Sequence, residues 1–311
     1  MQGEPLKGRS RADKRMTLDQ AIAAYVHDGD SITFSGMGGE QCVAQTYEII
    51  RQGKKDLTII GDSPCEAADM LIGAGLAKKV EVAWIGYAVA GLAVNYRRAV
   101  EEHVPRPIEV EEYSNYTMGL RFLAGAMGIP FMPTRSLAGS DIPKYNEKIR
   151  TTSDPYSGKP VTLVPAARPD VAVVHVHRCD KRGNAQMLSF SSNLENIGRA
   201  AKRTIVTCEE IISTDEVRRT GNLTILPEYC VDAVVELPYA CHPWNMPYSY
   251  AYDIPFHMEQ MAQIETRDGF LEWLDKWVYG CKDHADYCSK VGWDRLQKLT
   301  RLERKFCKPL V

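Results

Sequence analysis

Short apolar runs alternating with segments of helical period restrict the fold of this chain more than any other feature. SITF (31–34), DLTIIGD (56–62) and KKVEVAWIGYA (78–88) read as strands, followed by IEVEEYS, by Val171–Val176 and by the apolar part of AAKRTIVTCEEII. CVDAVVELP adds a last strand that breaks at Pro238. Between them lie helical patterns: TLDQAIAAYVHDG with Thr17 as N-cap and Gly29 as stop, Gln41–Arg51 closed by Gly53, AADMLIGAG, and NYTMGLRFLAGAMG. Strands alternating with helices over short loops require crossovers, and crossovers give a parallel sheet covered by helices. The expected class is therefore α/β, an open and mostly parallel sheet. QIETRDGFLEWLDKWVYGCKDHADYCSKVGWDRLQKL is amphipathic, with Trp273 and Trp277 four apart on one face, and adds a C-terminal helical appendage. IPFMPTRSLAGSDIPKYNEK shows no period and is expected to be a long functional loop.

No repeat or linker divides the 311 residues, so residues 16–311 read as a single domain. The basic start, MQGEPLKGRSRADKR, lacks the apolar stretch of a signal peptide and is expected to be a flexible tail over 1–15. A net charge of −2 carries no footprint for nucleic acid or an anionic membrane. Nine dispersed cysteines without a Cys-x-x-Cys read as reduced thiols in a cytoplasmic protein.

The sharpest local signal is Gly29–Ile50, a strand running into three glycines within four residues and then a helix. Unpaired backbone N–H groups at such a turn hold anionic or carbonyl oxygens. Gly36, Gly38 and Gly39 do not complete the dinucleotide fingerprint, since Gln41 stands where it needs glycine, although Asp62 ends the next strand as that fold requires. No phosphate-binding G-x-x-x-x-G-K-[ST] occurs. A ligand carboxylate or thioester oxygen, a nucleotide and a purely structural tight turn all stay open. His175 and His177 share one strand face near Cys179, but without zinc spacing they read as hydrogen-bonded structural histidines, and no metal is expected. Glu111–Glu112 and Glu209–Glu210 each end a strand. Adjacent carboxylates on a strand point to opposite faces, so neither pair is a ready acid–base dyad.

PDVAVVHVHRCDKRGNAQ, AAKRTIVTCEEIISTDEVRR and CVDAVVELPYACHPWNMPYSYAYDIPF go further. They resemble the A (alpha) subunit of family I CoA-transferases, most closely the alpha subunits of the glutaconate CoA-transferase group. The likeness runs from about Met16 to Val291, and Thr204–Ser213 and Val231–Val235 are its most specific blocks. The resemblance implies a NagB-RpiA-like fold and an active site shared with a B (beta) subunit in a hetero-oligomer. The catalytic nucleophile is then a glutamate of that partner, which passes through an acyl-glutamyl anhydride and a glutamyl-CoA thioester. Coenzyme A enters as a substrate moiety, with no tightly bound cofactor. Ser35, Gly36, Met37, Gly38, Gly39 and Glu40 become the acyl-binding wall. Glu40 stands where the glutaconate group carries hydroxyl or basic residues, so a larger or less charged acyl group competes with glutaconate. Related two-chain enzymes hydrolyse CoA thioesters to open a carbocyclic ring, and on that alternative Glu112, in preference to Glu111, is catalytic. Decarboxylases on the same scaffold and a non-catalytic scaffold subunit are the remaining alternatives.

Overall fold

In the computed structural model, which describes residues 13–36, 39–87 and 89–307, the expected alternation produces seven parallel strands. These are β1 (Ser31–Phe34), β2 (Leu57–Gly61), β3 (Ala77–Val82), β4 (Glu109–Glu112), β5 (Val171–Asp180), β6 (Arg203–Ile212) and β7 (Ala233–Glu236). Their order across the sheet is β7-β6-β5-β1-β2-β3-β4. The register aligns Ile32 with Val171 and Ile59, and Val171 with Arg203. Beyond this core, Ala185–Gln186 folds back antiparallel on β5, and Thr224–Leu226 pairs with it.

β5 is buried along almost its whole length, because it has a strand on each side and helices on each face. That double cover is why VAVVHV runs apolar without alternation. Past it the chain turns on Asp180, whose carboxylate accepts the Arg182 and Asn184 N–H groups at 2.9 Å and the Asn184 amide at 2.9 Å. β6 continues to Ile212, so Glu209 and Glu210 stand within a strand rather than at its end.

Three expectations are corrected. The stretch 129–148 is no irregular loop. Phe131–Thr134, Arg150–Ser153 and Pro160–Pro165 form a three-stranded antiparallel sheet with Pro160–Pro165 central, and Ile142–Tyr145 is a single helical turn. Pro133 sits on an edge strand, where a missing N–H is harmless, and its presence hid the strand from a periodicity argument. The run 78–88 is not one strand either. β3 stops at Val82, where the Ala83 and Trp84 N–H groups turn to the Asp62 carbonyl at 3.3 and 3.0 Å, and Gly86–Tyr87 then pairs with Gly91–Leu92. The helical C-terminal region begins earlier than expected, with Ile254–Ile264 capped by Asp253. Of the expected tail, residues 1–12 lie outside the described residues, whereas Lys14 and Met16 exchange backbone hydrogen bonds with Val234 on β7.

The C-terminal helices are built onto the sheet through buried polar joints. The Cys65–Gly73 helix is buried on every residue, held between the sheet and those helices. Its fully buried Glu66 accepts the Trp244 indole N–H at 3.2 Å and the Gln260 amide at 2.5 Å. One turn on, Asp69 accepts the Tyr87 hydroxyl at 3.0 Å and the Asn95 amide at 2.9 Å, and burial pushes its carboxyl up to about 6. Trp273 and Trp277 pack 5.6 Å apart and Trp273 donates to the Tyr47 hydroxyl at 3.2 Å. Glu66→Ala leaves two buried donors without an acceptor, at an expected cost on the order of 3 kcal/mol. Urea denaturation followed by tryptophan fluorescence measures it; a loss under about 1 kcal/mol would mean that the donors find other partners.

Candidate active site

After β1 the chain moves to β2 on one side, and it returns on the other side as β5. Such a reversal leaves a crevice at the carboxyl ends of the two strands, where open α/β sheets bind ligands. The glycine turn leaves β1 at that crevice. Ser35 continues the ladder, donating its N–H to the Val173 carbonyl at 3.1 Å. Its hydroxyl accepts the His175 N–H at 2.9 Å and is buried, so it braces the turn against β5.

Gly36 sits at φ +108, and a Cβ there would lie 2.7 Å from the Gly39 carbonyl oxygen and 2.8 Å from that of Glu40. The turn closes on this glycine, whose carbonyl accepts the Gln41 side-chain amide at 2.9 Å. Gly39 faces Asn245, where a Cβ would stand 3.1 Å from Oδ1. Glu40 donates its N–H to the Asn245 carbonyl at 3.0 Å and takes a left-handed φ of +47. Met37 and Gly38 lie outside the described residues.

The Glu40 carboxyl is largely buried. Its hydrogen-bond partner among the described residues is the Ser189 hydroxyl, at 3.4 Å from Oε1. Burial dominates, and Ser189 offsets it weakly, so the carboxyl is pushed up to about 7. Two loops flank it, one carrying Ser189 and the other Asn245, and His177 on β5 ties them together. The Leu188 N–H donates to His177 Nδ1 at 3.1 Å, and Nε2 donates to the Pro247 carbonyl at 2.6 Å. Those partners fix the neutral tautomer, and burial holds the imidazole down to about 4.

His175 is bound to Thr207 Oγ1 through Nδ1 and to Glu209 Oε1 through Nε2, both at 2.8 Å. Glu209 also accepts the Tyr250 hydroxyl at 2.9 Å and the Tyr239 N–H at 3.0 Å. With His177, Arg178 and Tyr248 it lines a cavity of about 420 Å³. Both histidines are thus engaged by protein groups. Among the described residues no cluster of three His, Cys, Asp or Glu is placed to hold a metal.

The remaining candidates lie elsewhere. Asp62 accepts the Ser63 N–H at 2.7 Å and the Asn193 amide at 2.9 Å, so each of its carboxyl oxygens already has a protein donor. Glu111 is opposed by burial, but Lys148 and Lys79, at 2.9 and 2.8 Å, and the Tyr113 hydroxyl hold it down to about 2. Glu112 is exposed at the end of the edge strand β4, and its carbonyl accepts the Asn146 amide at 2.9 Å. Three strand spacings of ~4.8 Å separate β4 from β1, about 14 Å between the strand that carries Glu112 and the strand from which the glycine turn departs. Ser189, Asn245 and His177 carry no mark in the sequence as parts of this site; they come from separate segments that meet only in the fold.

The model of the coenzyme A transferase family matches residues 15–237. The A subunit of 3-oxoadipate CoA-transferase from Pseudomonas knackmussii is 35% identical over 277 residues, covering 89% of this chain and 98% of that one. The A subunit of glutaconate CoA-transferase from Acidaminococcus fermentans is 34% identical over 304 residues, covering 92% and 94%. The crystal structure of glutaconate CoA-transferase from that organism superposes with a TM-score of 0.86 at 33% identity, covering 92% of this chain and 95% of its own. The cholesterol ring-cleaving hydrolase IpdA subunit of Rhodococcus jostii is 29% identical over 293 residues, covering 91% and 97%.

The raised Glu40 carboxyl makes a stability prediction of definite sign. The folded state keeps its proton to about pH 7, whereas the unfolded chain releases it near pH ~4.3. The contribution to stability is therefore full at low pH and is lost as pH rises through that window. Glu40→Gln removes the titration, so the variant should gain on the wild type between about pH 5 and pH 8 by on the order of 2 kcal/mol. Denaturation at the two pH values measures this, and an equal difference at both would rule out a buried, proton-holding Glu40.

Proposed function

This chain belongs to the coenzyme A transferase family, and from that membership we propose that it is the alpha subunit of a two-chain CoA-transferase. The enzyme moves CoA from an acyl-CoA thioester to a carboxylic acid of the glutaconate or 3-oxoadipate kind. The main support is the position of the glycine turn, at the sheet's switch point and walled by Ser189 and Asn245. No carboxylate placed to act as a nucleophile stands beside that turn among the described residues. Glu40 holds its proton to about pH 7, and a protonated carboxyl is a poor nucleophile. Glu112 stands on a strand about 14 Å from β1 by strand spacing, which weighs against the hydrolase alternative.

The nucleophile then comes from a beta subunit. Its glutamate attacks the thioester carbonyl, CoA leaves as the thiolate, and an acyl-glutamyl anhydride remains. The thiolate attacks the glutamyl carbonyl of the anhydride, the first acid departs as a carboxylate, and CoA is left on the glutamate as a thioester. An incoming carboxylate runs the two steps in reverse. Each attack builds negative charge on a carbonyl oxygen, and the turn, where Gly36 has no Cβ to keep a substrate off the backbone, is the wall this chain offers to that oxygen. Large side chains are exposed on the segments beyond the strand ends: Trp84, Val89 and Leu92 beyond β3, Tyr116 beyond β4, and Phe190 beside Ser189. A rim so apolar suits burial against a partner subunit. Eight of the nine cysteines are buried as thiols, which accords with a reducing cytosol.

With acyl-CoA and no acceptor acid, the two-chain complex should accumulate a CoA thioester on the beta subunit, detectable by intact mass, and then stop. Continued release of free CoA would instead support the hydrolase. Gly36→Ala forces a Cβ against two carbonyl oxygens, so transfer should fall at least about 100-fold while the complex stays assembled. Unchanged turnover would leave this chain a scaffold.

A further inference from the structure

Glu40 has no task in the transfer steps above, yet the fold holds it in the acyl wall at some cost. Its backbone occupies the left-handed region at φ +47, which disfavours a residue with a Cβ. Its side chain is largely withdrawn from water, and among the described residues it has no Lys, Arg or His within ion-pair distance and one neutral hydroxyl, that of Ser189. Three titratable groups of the segments around it are each held in one state near neutral pH. Burial pushes the Cys42 thiol, at the start of the helix after the turn, up to about 12. The Cys241 thiol, on the segment leading to Asn245, is pushed well above its ordinary value by burial. His177, on β5 beneath Leu188, stays neutral above about pH 4. Of these groups only Glu40 changes charge near pH 7.

Below about pH 7 a carboxylic acid in this setting is an O–H donor rather than an anion. Resting on the reading that the turn faces the acyl chain, we propose that Glu40 is the specificity-determining donor of this site, selecting acyl chains that end in a second carboxylate. The acid donates its proton into a charge-assisted hydrogen bond with the distal carboxylate, one of the stronger hydrogen bonds available to a side chain. An acid that as an anion would oppose a dicarboxylate substrate is, with its proton on, the group that recognises it. The two carboxyl groups share one proton, because like charges that close cannot both ionise. Once Glu40 ionises in the free enzyme, the distal carboxylate is repelled. A chain of equal length ending in methyl has no such dependence.

The test uses the assembled two-chain complex and compares CoA transfer to acetate from glutaryl-CoA and from pentanoyl-CoA between about pH 6 and pH 9. The ratio of the two kcat/KM values removes any pH dependence the chemical steps have in common. In the wild type this ratio should fall about tenfold per pH unit above about pH 7. In Glu40→Gln, a permanent neutral donor, it should be flat, and in Glu40→Ala the preference for glutaryl-CoA should be lost at every pH. A flat ratio in the wild type, or the same slope in wild type and Glu40→Gln, overturns the assignment while leaving transfer intact. Should Glu40→Gln fail to assemble, the wild-type slope decides alone. Absence of transfer from both donors at every pH overturns the transfer reading itself, and this assignment with it.

Discussion

The parallel pairing of β1 with β5 joins residues about 140 positions apart, and the candidate site is assembled around it. Its register puts Phe34 beside Val173, which brings the His175 N–H to the Ser35 hydroxyl at 2.9 Å. The Ser35 N–H, donated to the Val173 carbonyl at 3.1 Å, extends the ladder one residue beyond β1, and the two bonds together fix where the chain must turn. A slip of one position would send Ser35 to the opposite face of the sheet and release the turn from β5. The strands between β1 and β5 in sequence build one half of the sheet, and those after β5 build the other. The crevice at their divide therefore follows from topology before any side chain is chosen.

The site is then fitted with buried polar groups that have one task each. His177 links the Leu188 N–H to the Pro247 carbonyl, which only a neutral imidazole can do with one donor and one acceptor nitrogen. Glu209 takes three donors, from His175, Tyr239 and Tyr250, and joins β5, β6 and the segment after β7 beneath the turn. Glu66 and Asp69 do the same further along the sheet, where they join the C-terminal helices and the segment after β3 to the Cys65–Gly73 helix. Glu40 differs from these acids. It is largely buried, with a single neutral partner among the described residues, so burial pushes its carboxyl up to about 7 and below that pH its chemistry is that of an acid.

Much of the architecture was legible because helix and strand periods are local properties. SITF, LTIIG and VAVVHV announced central strands, and Thr17 announced a helix start. Phe131–Thr134 and Pro160–Pro165 escaped because prolines interrupt the pattern on which a strand is recognised. Ile254–Ile264 escaped because its buried face mixes Phe256 and Met261 with His257 and Gln260, so its apolar stripe is broken. Of the site, the glycine turn was legible from spacing, and alternation along the strand kept the adjacent carboxylates from being read as dyads. Asn245, Ser189 and His177 were not legible as parts of it, since each belongs to a segment with no local reason to approach Gly39 and Glu40.

Residue order alone carries the class of fold, the strand from which the ligand turn departs and the family to which the chain belongs. These follow from windows of about a dozen positions or from motifs read in line. Which carboxyl groups are ions was settled only when the chain had packed. Glu111 lies between two lysines on neighbouring elements and keeps its charge, whereas Glu40 lies between uncharged loops and holds its proton up to about pH 7. Charge state depends on solvent exclusion and on neighbours brought together from distant parts of the chain, and no window of sequence contains either.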